Sequence, residues 1–478
     1  MAYVNGTVRR VPASQFPQML GEWRAGHGPL ARRLADAVEK AVRDGRLPLG
    51  VQLPAERLLA GELGLARGTV AASYQILRAE QLIVTRTGSG STVALPPRLN
   101  DRLSPWASDR GEAGKNGAPL DLTVAEPAAP FDELLQAVRE ATDTLPAALL
   151  HDSAEGDRPS ALRTAIADAY GAQGLPTDDG HLLLTSGADA ALSLLSAAYL
   201  RPSSRVVLDS PTYPGALALF RGAGARLVAQ PLTLTGWDVP ALDRTLRASR
   251  PSLTYLVVDF HNPTGLLMGE EERAELRRRL RHHDTLVVFD ETMRDLDLRE
   301  GAAPPRVAGR ASDRHVVYVG SLSKSLWPGL RVGWIRAHPD VVRRLAALPL
   351  AAALAPSPFD RLVAAGLLER REAVLDRRRA QLRSQRDHLA ARLSALPWCR
   401  FQVPQGGLSL WLELHDADSR RLADLAATRN LALTPGFHFS PDGALDGYLR
   451  LPFTLPPDVL DTAVDRLTEA HAALEGSH

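Results

Sequence analysis

The chain has 478 residues and 45% of them are apolar, which is enough for two or three domains with their own hydrophobic cores. The net charge is only +1, but the first 95 residues carry 12 basic and 7 acidic side chains, against 44 and 48 in the remainder. This excess of basic residues in the N-terminal part of the chain favours a polyanionic partner for that part.

The composition also bears on the compartment. A single cysteine, Cys399, excludes an intrachain disulfide and fits a reducing cytoplasm. The N-terminal stretch MAYVNGTVRR lacks the apolar segment of a secretory signal peptide. No apolar run approaches the roughly 20 residues that cross a bilayer. We therefore predict a cytoplasmic protein.

The first predicted domain covers residues 28–95 and follows an N-terminal extension, 1–27, that has no clear period. Apolar residues recur at helical spacing from Pro29 to Arg43. A short helix ending at Gly64 and a second helix beginning near ARGTV follow, and two short strands then flank the turn TGSGS. This order predicts a helix, a helix–turn–helix and a β-wing.

The helix–turn–helix pattern separates core residues from candidate DNA contacts. Arg57 begins the first helix of the motif, and Arg67 and Thr69 begin the second, where they would face the major groove or its phosphates. The wing tip carries Arg86, Thr87 and Gly88. The predicted inner residues are Leu58, Leu59, Leu63, Leu65, Val70, Tyr74 and Leu77. A small helical module for protein contacts is the alternative, but the wing favours DNA.

The same residues resemble the GntR-family winged helix. The matching motifs are G-x-L-P-x-G-x-x-L-P-x-x-R, then R-x-T-V, then the wing T-G-S-G-S-x-V. The resemblance implies that Arg57, Arg67, Thr69 and the wing contact DNA. The second helix continues AAS where many relatives carry basic residues, so phosphate contacts would be few, and a dimer on paired half-sites would strengthen binding.

Residues 96–119 have the composition of a linker, rich in Pro, Gly, Ser and charge. From about 120 to 355, short apolar strands alternate with amphipathic helices, which predicts a mostly parallel, buried sheet of the α/β class. One long Arg-rich helix is predicted at about 358–395. The predicted small domain, about 356–478, is α+β. The predicted strands are HLLLTS, RVVLDS, RLVAQ, LTYLVVDF, TLVVFD, HVVYVGS and RVGWIRA.

Lys324 is the main candidate for covalent chemistry. It lies in SLSKSLWPGLRVGW and is one of three lysines, with Lys40 and Lys115, among 56 basic residues. Lysine forms an imine with an aldehyde cofactor and arginine does not, so a lone lysine in an arginine-dominated chain favours that role over a solvated surface position. Ser321, Ser323 and Arg331 supply donors suited to a phosphate.

Further polar residues follow other predicted strands. Gly187 and Ala188 open a helix whose first amides can bind phosphate. Asn262 lies in the turn FHNPTG, and Tyr213, in DSPTYPG, can stack on a cofactor ring. Asp290 ends the strand LVVFD, where a carboxylate beside a pyridine nitrogen would keep that nitrogen protonated.

Together, in this order and spacing, these fragments resemble fold-type I pyridoxal-phosphate (PLP) enzymes of the aspartate aminotransferase class. The resemblance implies a Schiff base on Lys324, a salt bridge from Asp290 and a hydrogen bond from Asn262 to the ring oxygen. It also implies stacking by Tyr213 and a substrate carboxylate on Arg450 in GYLRLPF. The implied phosphate ligands are Gly187, Ala188, Ser321, Ser323 and Arg331. Thr292 replaces a tyrosine found in many relatives, which puts efficient turnover in doubt.

A GntR-type winged helix joined to such a domain resembles the MocR subfamily of transcription regulators. This implies a cytoplasmic homodimer that binds promoter DNA and senses PLP itself, an amine or an amino acid at Lys324. A functional aminotransferase with an accessory DNA-binding domain remains an alternative, and a cofactor-free regulator that uses the fold only to dimerise is a third. We predict no metal site.

Overall fold

The computed structural model describes residues 11–21, 23–24, 28–43, 47, 51–80, 82–86, 90–93, 119–149, 161–233, 236–301, 305–307, 313–415 and 417–475. The chain divides into two compact units, residues 1–110 and 111–478, and each is described by itself.

The first unit is a helical domain with a two-stranded wing. Its elements are α1 (Phe16–Leu20), α2 (Leu30–Arg43), α3 (Glu56–Leu63), α4 (Arg67–Ala79), β1 (Ile83–Arg86) and β2 (Gly90–Val93). Gly64 ends α3 with φ +58°, a left-handed conformation that glycine adopts without strain. The strands pair antiparallel, with Ile83 opposite Val93. The predicted helix–turn–helix and wing are therefore confirmed.

The core of this unit confirms most of the predicted inner residues and corrects one. Leu59 and Leu63, four residues apart on α3, are buried, and so are Val70, Tyr74 and Leu77 of α4. The prediction that Leu58 faces inward is wrong, because it is 63% exposed. Leu58 lies about 100° around the helix from Leu59 and so leaves the buried face.

The predicted N-terminal extension contributes to the same core. Phe16 and Leu20 are one helical turn apart in α1, and both are buried against the apolar residues of α2 and α3. Five residues were too few for a visible period in the sequence. The first unit therefore begins before residue 28.

The second unit is built on an eight-stranded sheet. Its strands are β4 (Leu182–Thr185), β5 (Arg205–Ser210), β6 (Arg226–Thr233), β7 (Gly236–Trp237), β8 (Leu253–Leu256), β9 (Leu286–Asp290), β10 (Val316–Ser321) and β11 (Gly333–Ala337), in the order β4-β11-β10-β9-β8-β5-β6-β7. Pairs from β10 to β6 are parallel, whereas β11 is antiparallel to both β10 and β4. The predicted mostly parallel, buried sheet is confirmed.

Helices cover both faces of this sheet. They are α5 (Phe131–Leu149), α6 (Ala161–Gly171), α7 (Ala188–Tyr199), α8 (Pro214–Gly222), α9 (Val239–Ser249), α10 (Glu270–Leu280), α11 (Pro339–Ala346) and α12 (Pro349–Ala353). Two apolar clusters form the core, one on each face, because the strand side chains alternate between the faces.

The single helix predicted over 358–395 is two helices, α13 (Pro358–Glu369) and α14 (Arg371–Ser394). The break falls at Arg370, whose φ of −103° and ψ of 8° lie outside the helical range. The guanidinium of Arg370 binds the backbone oxygen of Gly366 and the carboxylate of Glu140, which holds the residue in this conformation.

The small domain packs helices against antiparallel strands. Its elements are β12 (Cys399–Arg400), β13 (Ser409–Leu414), α15 (Ser419–Ala427), β14 (Leu431–Ala432), β15 (Thr434–Pro435), β16 (Tyr448–Pro452) and α16 (Pro457–Glu475). The strand order is β12-β13-β16-β15. No helix among the residues that the structure describes has the length and apolarity to cross a lipid bilayer.

The segment after the linker joins this small domain rather than the large one. The strand β3 (Leu120–Asp121) pairs with β14, and Leu120, Leu122 and Ala125 are buried in the small-domain core. The sequence places residue 120 at the start of the large domain. The structure differs because the backbone of this segment finds its hydrogen bonds on β14, about 310 residues further along the chain.

Candidate functional site

The candidate site lies at the carboxyl edge of the large sheet. Asp290 ends β9, Ser321 ends β10, and the loop from β10 to β11 carries Lys324 and Arg331. Across the strands, Ser321 lies opposite Gly333, and Gly333 lies opposite Thr185. Parallel strands deliver their following loops to one edge, where α/β proteins bind ligands. The fold therefore brings these predicted residues to one place.

A cradle for an anion forms where α7 begins. Gly187 precedes the helix with φ +104°, and Ala188 is its first residue. A Cβ on Gly333 would lie 2.7 Å from the carbonyl carbon of Gly187, so β11 approaches this turn too closely for a side chain at position 333. A guanidinium nitrogen of Arg331 lies 3.9 Å from the position that a Gly187 Cβ would take. The Arg331 cation therefore lies beside the turn whose backbone amides open α7.

Two serine hydroxyls extend the cradle. The Oγ atoms of Ser321 and Ser323 are 3.1 Å apart, and the Ser323 amide donates to Ser321 Oγ at 3.2 Å. With Gly187, Ala188 and Arg331, they form a set of neutral donors and one cation around the turn. This donor set suits a phosphate group.

Lys324 reaches from the β10–β11 loop to the segment that follows β3. Its Nζ donates to the backbone oxygen of Ala125 at 3.1 Å and lies 3.7 Å from Oε1 of Glu126. Both charged side chains are about one quarter exposed, at 27% and 26%. The amine is therefore accessible to a small reactant and is held toward one side of the site by two oxygen atoms.

Asp290 is buried and accepts hydrogen bonds from Tyr255 and Thr292. The Tyr255 hydroxyl donates to Oδ2 at 2.6 Å, and the Thr292 amide donates to Oδ1 at 2.9 Å. Burial raises the pKa of the Asp290 carboxyl above its ordinary value, and the hydrogen bonds from Tyr255 and Thr292 act in the opposite direction by stabilising the anion. A bound cation, such as a protonated ring nitrogen, would complete its environment.

Tyr213 and Asn262 both lie in turns that follow strands of the sheet. The Tyr213 hydroxyl donates to the carboxylate of Asp189 at 3.2 Å. Burial raises the pKa of the Tyr213 phenol, and the charges of Asp189 and Asp290 raise it further. Asn262 is half-buried and precedes a cis-proline, Pro263.

Arg450, on β16 of the small domain, is buried and incompletely satisfied. One terminal nitrogen donates to the backbone oxygen of Thr123, and the guanidinium lies 5.1 Å from the ring centroid of Phe439. Its Nε has no hydrogen-bond partner among the residues that the structure describes. Burial lowers the pKa of Arg450 to about 10. Within the described part of the chain, Arg450 forms no ion pair with a carboxylate, although the charge of Asp121 acts on it, and such a buried cation is suited to an anionic ligand.

The donor set fits a pyridoxal phosphate. The cradle suits its phosphate, Lys324 its aldehyde and Asp290 its ring nitrogen. The chain neighbours of Tyr213 and Lys324 include two buried hydroxyl residues, Thr212 and Ser325, and neither hydroxyl has a hydrogen-bond partner among the described residues. Groups of three or more His, Cys, Asp or Glu side chains placed to hold a metal ion do not occur in the described part of the chain.

The candidate DNA-contacting residues belong to the first unit. Arg57 and Arg67 are exposed at the starts of α3 and α4, and Thr69 is half-buried in the first turn of α4. Arg67 Nε lies 4.0 Å from the carboxylate of Glu56. Arg86 ends β1, but its side chain and the predicted residues Thr87 and Gly88 lie outside the described residues.

The sequence did not identify several residues of the site, among them Tyr255, Asp189 and Thr123. Tyr255 is a tyrosine in the fully buried strand β8, and a buried phenol requires a hydrogen-bond partner, so its presence was a usable signal. Asp189 follows the predicted phosphate turn, but acidic residues are common in the first turn of a helix, so nothing in the sequence singled it out. Thr123 takes part through its backbone oxygen, which the sequence does not reveal.

Comparisons with known proteins agree with this architecture. Residues 120–467 match the family of aminotransferases class I and II, and residues 30–93 match the gntR family of bacterial regulatory proteins. The chain is 28% identical to the probable rhizopine catabolism regulatory protein MocR of Rhizobium meliloti, over 94% of this chain and 95% of that protein. It is 32% identical to a 2-aminoadipate transaminase of Thermus thermophilus, over 68% of this chain and 81% of that protein.

A solved structure gives the same result for the second unit. The crystal structure of LysN, the alpha-aminoadipate aminotransferase of Thermus thermophilus, matches with a TM-score of 0.69 and 29% identity, over 76% of this chain and 94% of LysN. The chain therefore belongs to the aminotransferase class I and II family and joins that domain to an N-terminal GntR-family domain, as MocR-type transcription regulators do.

Proposed function

We propose that this regulator holds pyridoxal 5'-phosphate on Lys324 and senses PLP itself, an amine or an amino acid there, and that it binds promoter DNA as a cytoplasmic homodimer. The observation that carries the proposal is the convergence of Lys324, Asp290 and the Gly187–Ala188 turn at one sheet edge. Bound PLP would supply an electrophilic carbon that reacts reversibly with amines.

Each residue has a defined task in this proposal. Lys324 provides the covalent anchor, and Asp290 holds a proton on the ring nitrogen. Gly187 and Ala188 bind the phosphate with backbone amides, together with Arg331, Ser321 and Ser323. Asn262 donates to the ring oxygen, and Tyr213 stacks on the ring. Arg450 binds the carboxylate of an amino-acid effector through its open Nε.

DNA binding is assigned to the first unit. Arg57, Arg67 and Thr69 are proposed to contact the major groove or its phosphates, and Arg86, Thr87 and Gly88 to extend that contact from the wing. Regulation then requires that the two states of the cofactor site favour different arrangements of the paired DNA-binding units.

A second candidate function is amino-group transfer. The buried Arg450 with an open Nε supports it, as does the 32% identity to a 2-aminoadipate transaminase. Thr292 supports sensing instead, since threonine lacks the phenol with which a tyrosine at this position would reach the ring oxygen. Turnover of an amino donor with a keto acid at ordinary enzyme rates would favour the second candidate.

The test combines absorbance with DNA retardation. Wild type, Lys324→Ala and the exposed control Lys40→Ala are each incubated with PLP. Each protein is then titrated with amines and amino acids, with and without DNA from the protein's own promoter region. We expect an absorbance band of lysine-bound cofactor in wild type and Lys40→Ala but not in Lys324→Ala. We expect an amine or amino acid, or PLP itself, to alter DNA retardation only where Lys324 is present. Equal retardation for all three proteins under every condition would contradict sensing.

A further inference from the structure

Asp189 and Tyr213 connect two loops of the candidate site. Asp189 lies in the first turn of α7, directly after Gly187 and Ala188. Tyr213 precedes α8, at the far end of the loop that follows β5. The Tyr213 hydroxyl lies 3.2 Å from Oδ1 and 3.5 Å from Oδ2 of Asp189. The turn assigned to the phosphate therefore also holds the aromatic residue assigned to the ring.

The Tyr213 ring also packs closely against Gly215. A Cβ on Gly215 would lie 2.5 Å from Cε1 and Cζ of the ring and 2.6 Å from its hydroxyl oxygen. Real Cβ atoms do not come this close to ring atoms. The ring therefore lies directly over the glycine, and only a residue without a side chain permits that position.

The charge arrangement keeps the hydroxyl as the donor. Burial, assisted by the Asp189 carboxylate, raises the pKa of the Tyr213 phenol, which therefore stays protonated. Asp189 stands in the first turn of α7, where the helix dipole stabilises a carboxylate. The Tyr213 hydroxyl is therefore the donor, and the Asp189 carboxylate is the acceptor.

We propose that Asp189 is a positioning residue that orients the Tyr213 ring over the bound cofactor, with Gly215 as the surface on which the ring rests. The inference rests on the proposed function, because it requires PLP at Lys324. It adds that phosphate binding and ring stacking are coupled, since the residues following Gly187 in one turn serve both. A purely structural Asp189 would affect folding but not the environment of the cofactor.

The test is a double-mutant cycle on PLP binding. The proteins are wild type, Asp189→Ala, Tyr213→Phe and the double variant, with Asp189→Asn as the conservative variant. Asp132→Ala, an exposed carboxylate in the first turn of α5, is the matched control. The measurements are the dissociation constant for PLP, the visible circular dichroism of the bound cofactor and the melting temperature without PLP.

We expect Asp189→Ala and Tyr213→Phe each to weaken PLP binding about three- to tenfold and to reduce the visible dichroism, since each removes the same hydrogen bond. The double variant should lose no more than either single variant. Asp189→Asn keeps an acceptor and should retain most of the signal, and Asp132→Ala should match wild type.

The outcomes separate the two proposals. If wild type binds PLP and Asp189→Ala leaves both readouts unchanged, this inference fails and the proposed function stands. Additive losses in the double variant would show that Asp189 and Tyr213 act independently, and would also overturn this inference. If wild type shows no PLP binding, both proposals are rejected. If Asp189→Ala fails to fold, Asp189→Asn and Tyr213→Phe decide the matter through the dichroism and the melting temperature.

Discussion

Arg450 donates a hydrogen bond to the backbone oxygen of Thr123, which joins the proposed carboxylate-binding side chain to the segment that enters the small domain. Lys324 donates to the oxygen of Ala125 in the same segment. Two cations of the site, Arg450 from the small domain and Lys324 from the large domain, thus bind the same stretch of backbone. A carboxylate bound at Arg450 would accept a hydrogen bond from Nε, which does not contact Thr123.

Arg450→Met should remove the preference for amino acids over amines. The measurement compares L-leucine with 3-methylbutylamine, which lacks only the carboxylate, by titration of the PLP-loaded protein. Wild type should favour leucine, and the variant should lose about tenfold or more of that preference, because a charge-assisted hydrogen bond disappears. Arg400→Met, on an exposed ion pair with Glu413, is the control. An unchanged preference would contradict the role of Arg450.

Tyr255→Phe should make PLP binding more sensitive to acid. The Tyr255 hydroxyl stabilises the ionised form of Asp290, so its removal raises the pKa of that carboxyl further above its ordinary value. As the pH falls, Asp290 then takes up a proton sooner and loses its attraction for a protonated ring nitrogen. The dissociation constant for PLP, measured against pH, should begin to rise at a higher pH than in wild type. A profile that coincides with that of wild type would refute this account of Asp290, and Tyr199→Phe serves as the control.

Gly333→Ala should damage the phosphate cradle. The added Cβ would lie 2.7 Å from the carbonyl carbon of Gly187 and 2.8 Å from the oxygen of Gly320, and both contacts are backbone. We expect weaker PLP binding and a lower melting temperature, with a loss of about 1–3 kcal/mol. The control is Gly222→Ala at the end of α8, where an added Cβ meets nothing within 4 Å. Wild-type affinity in Gly333→Ala would show that this close approach does not matter.

Arg67→Ala should weaken binding to promoter DNA. The Arg67 side chain is 73% exposed at the start of α4, so its loss should leave the fold of the unit intact. If Arg67 contacts a phosphate, the dependence of log K on log salt should become shallower by about one unit. Lys40→Ala, an exposed cation on α2, is the control. Retardation equal to wild type at every salt concentration would exclude α4 as the recognition helix.

Much of the site could be predicted because its residues follow buried strands. Asp290 and Ser321 end strands whose every residue is buried, and such runs are visible in the sequence. Lys324 stood out because lysine is rare in this chain. The antiparallel direction of β11 was not visible, since an apolar run carries no information about its direction.

Other features depend on contacts between distant parts of the chain. The pairing of β3 with β14 and the hydrogen bond from Arg450 to Thr123 use backbone atoms, which have no residue signature. At the break, Arg370 contacts Glu140, which is 230 residues away along the chain, whereas the local sequence is helical in composition. Leu58 was assigned to the core because a run of leucines does not show which of two neighbours faces inward.

The central claim is that Lys324 carries the cofactor, and chemical fixation with mass spectrometry tests it most directly. Wild type is incubated with PLP, reduced with borohydride to make the bond to lysine permanent, and digested for peptide mapping. The sequence offers three lysine side chains, Lys40, Lys115 and Lys324. The account predicts stoichiometric modification of Lys324 alone. An unmodified Lys324, or labelling of Lys40 or Lys115 to the same extent, would contradict it.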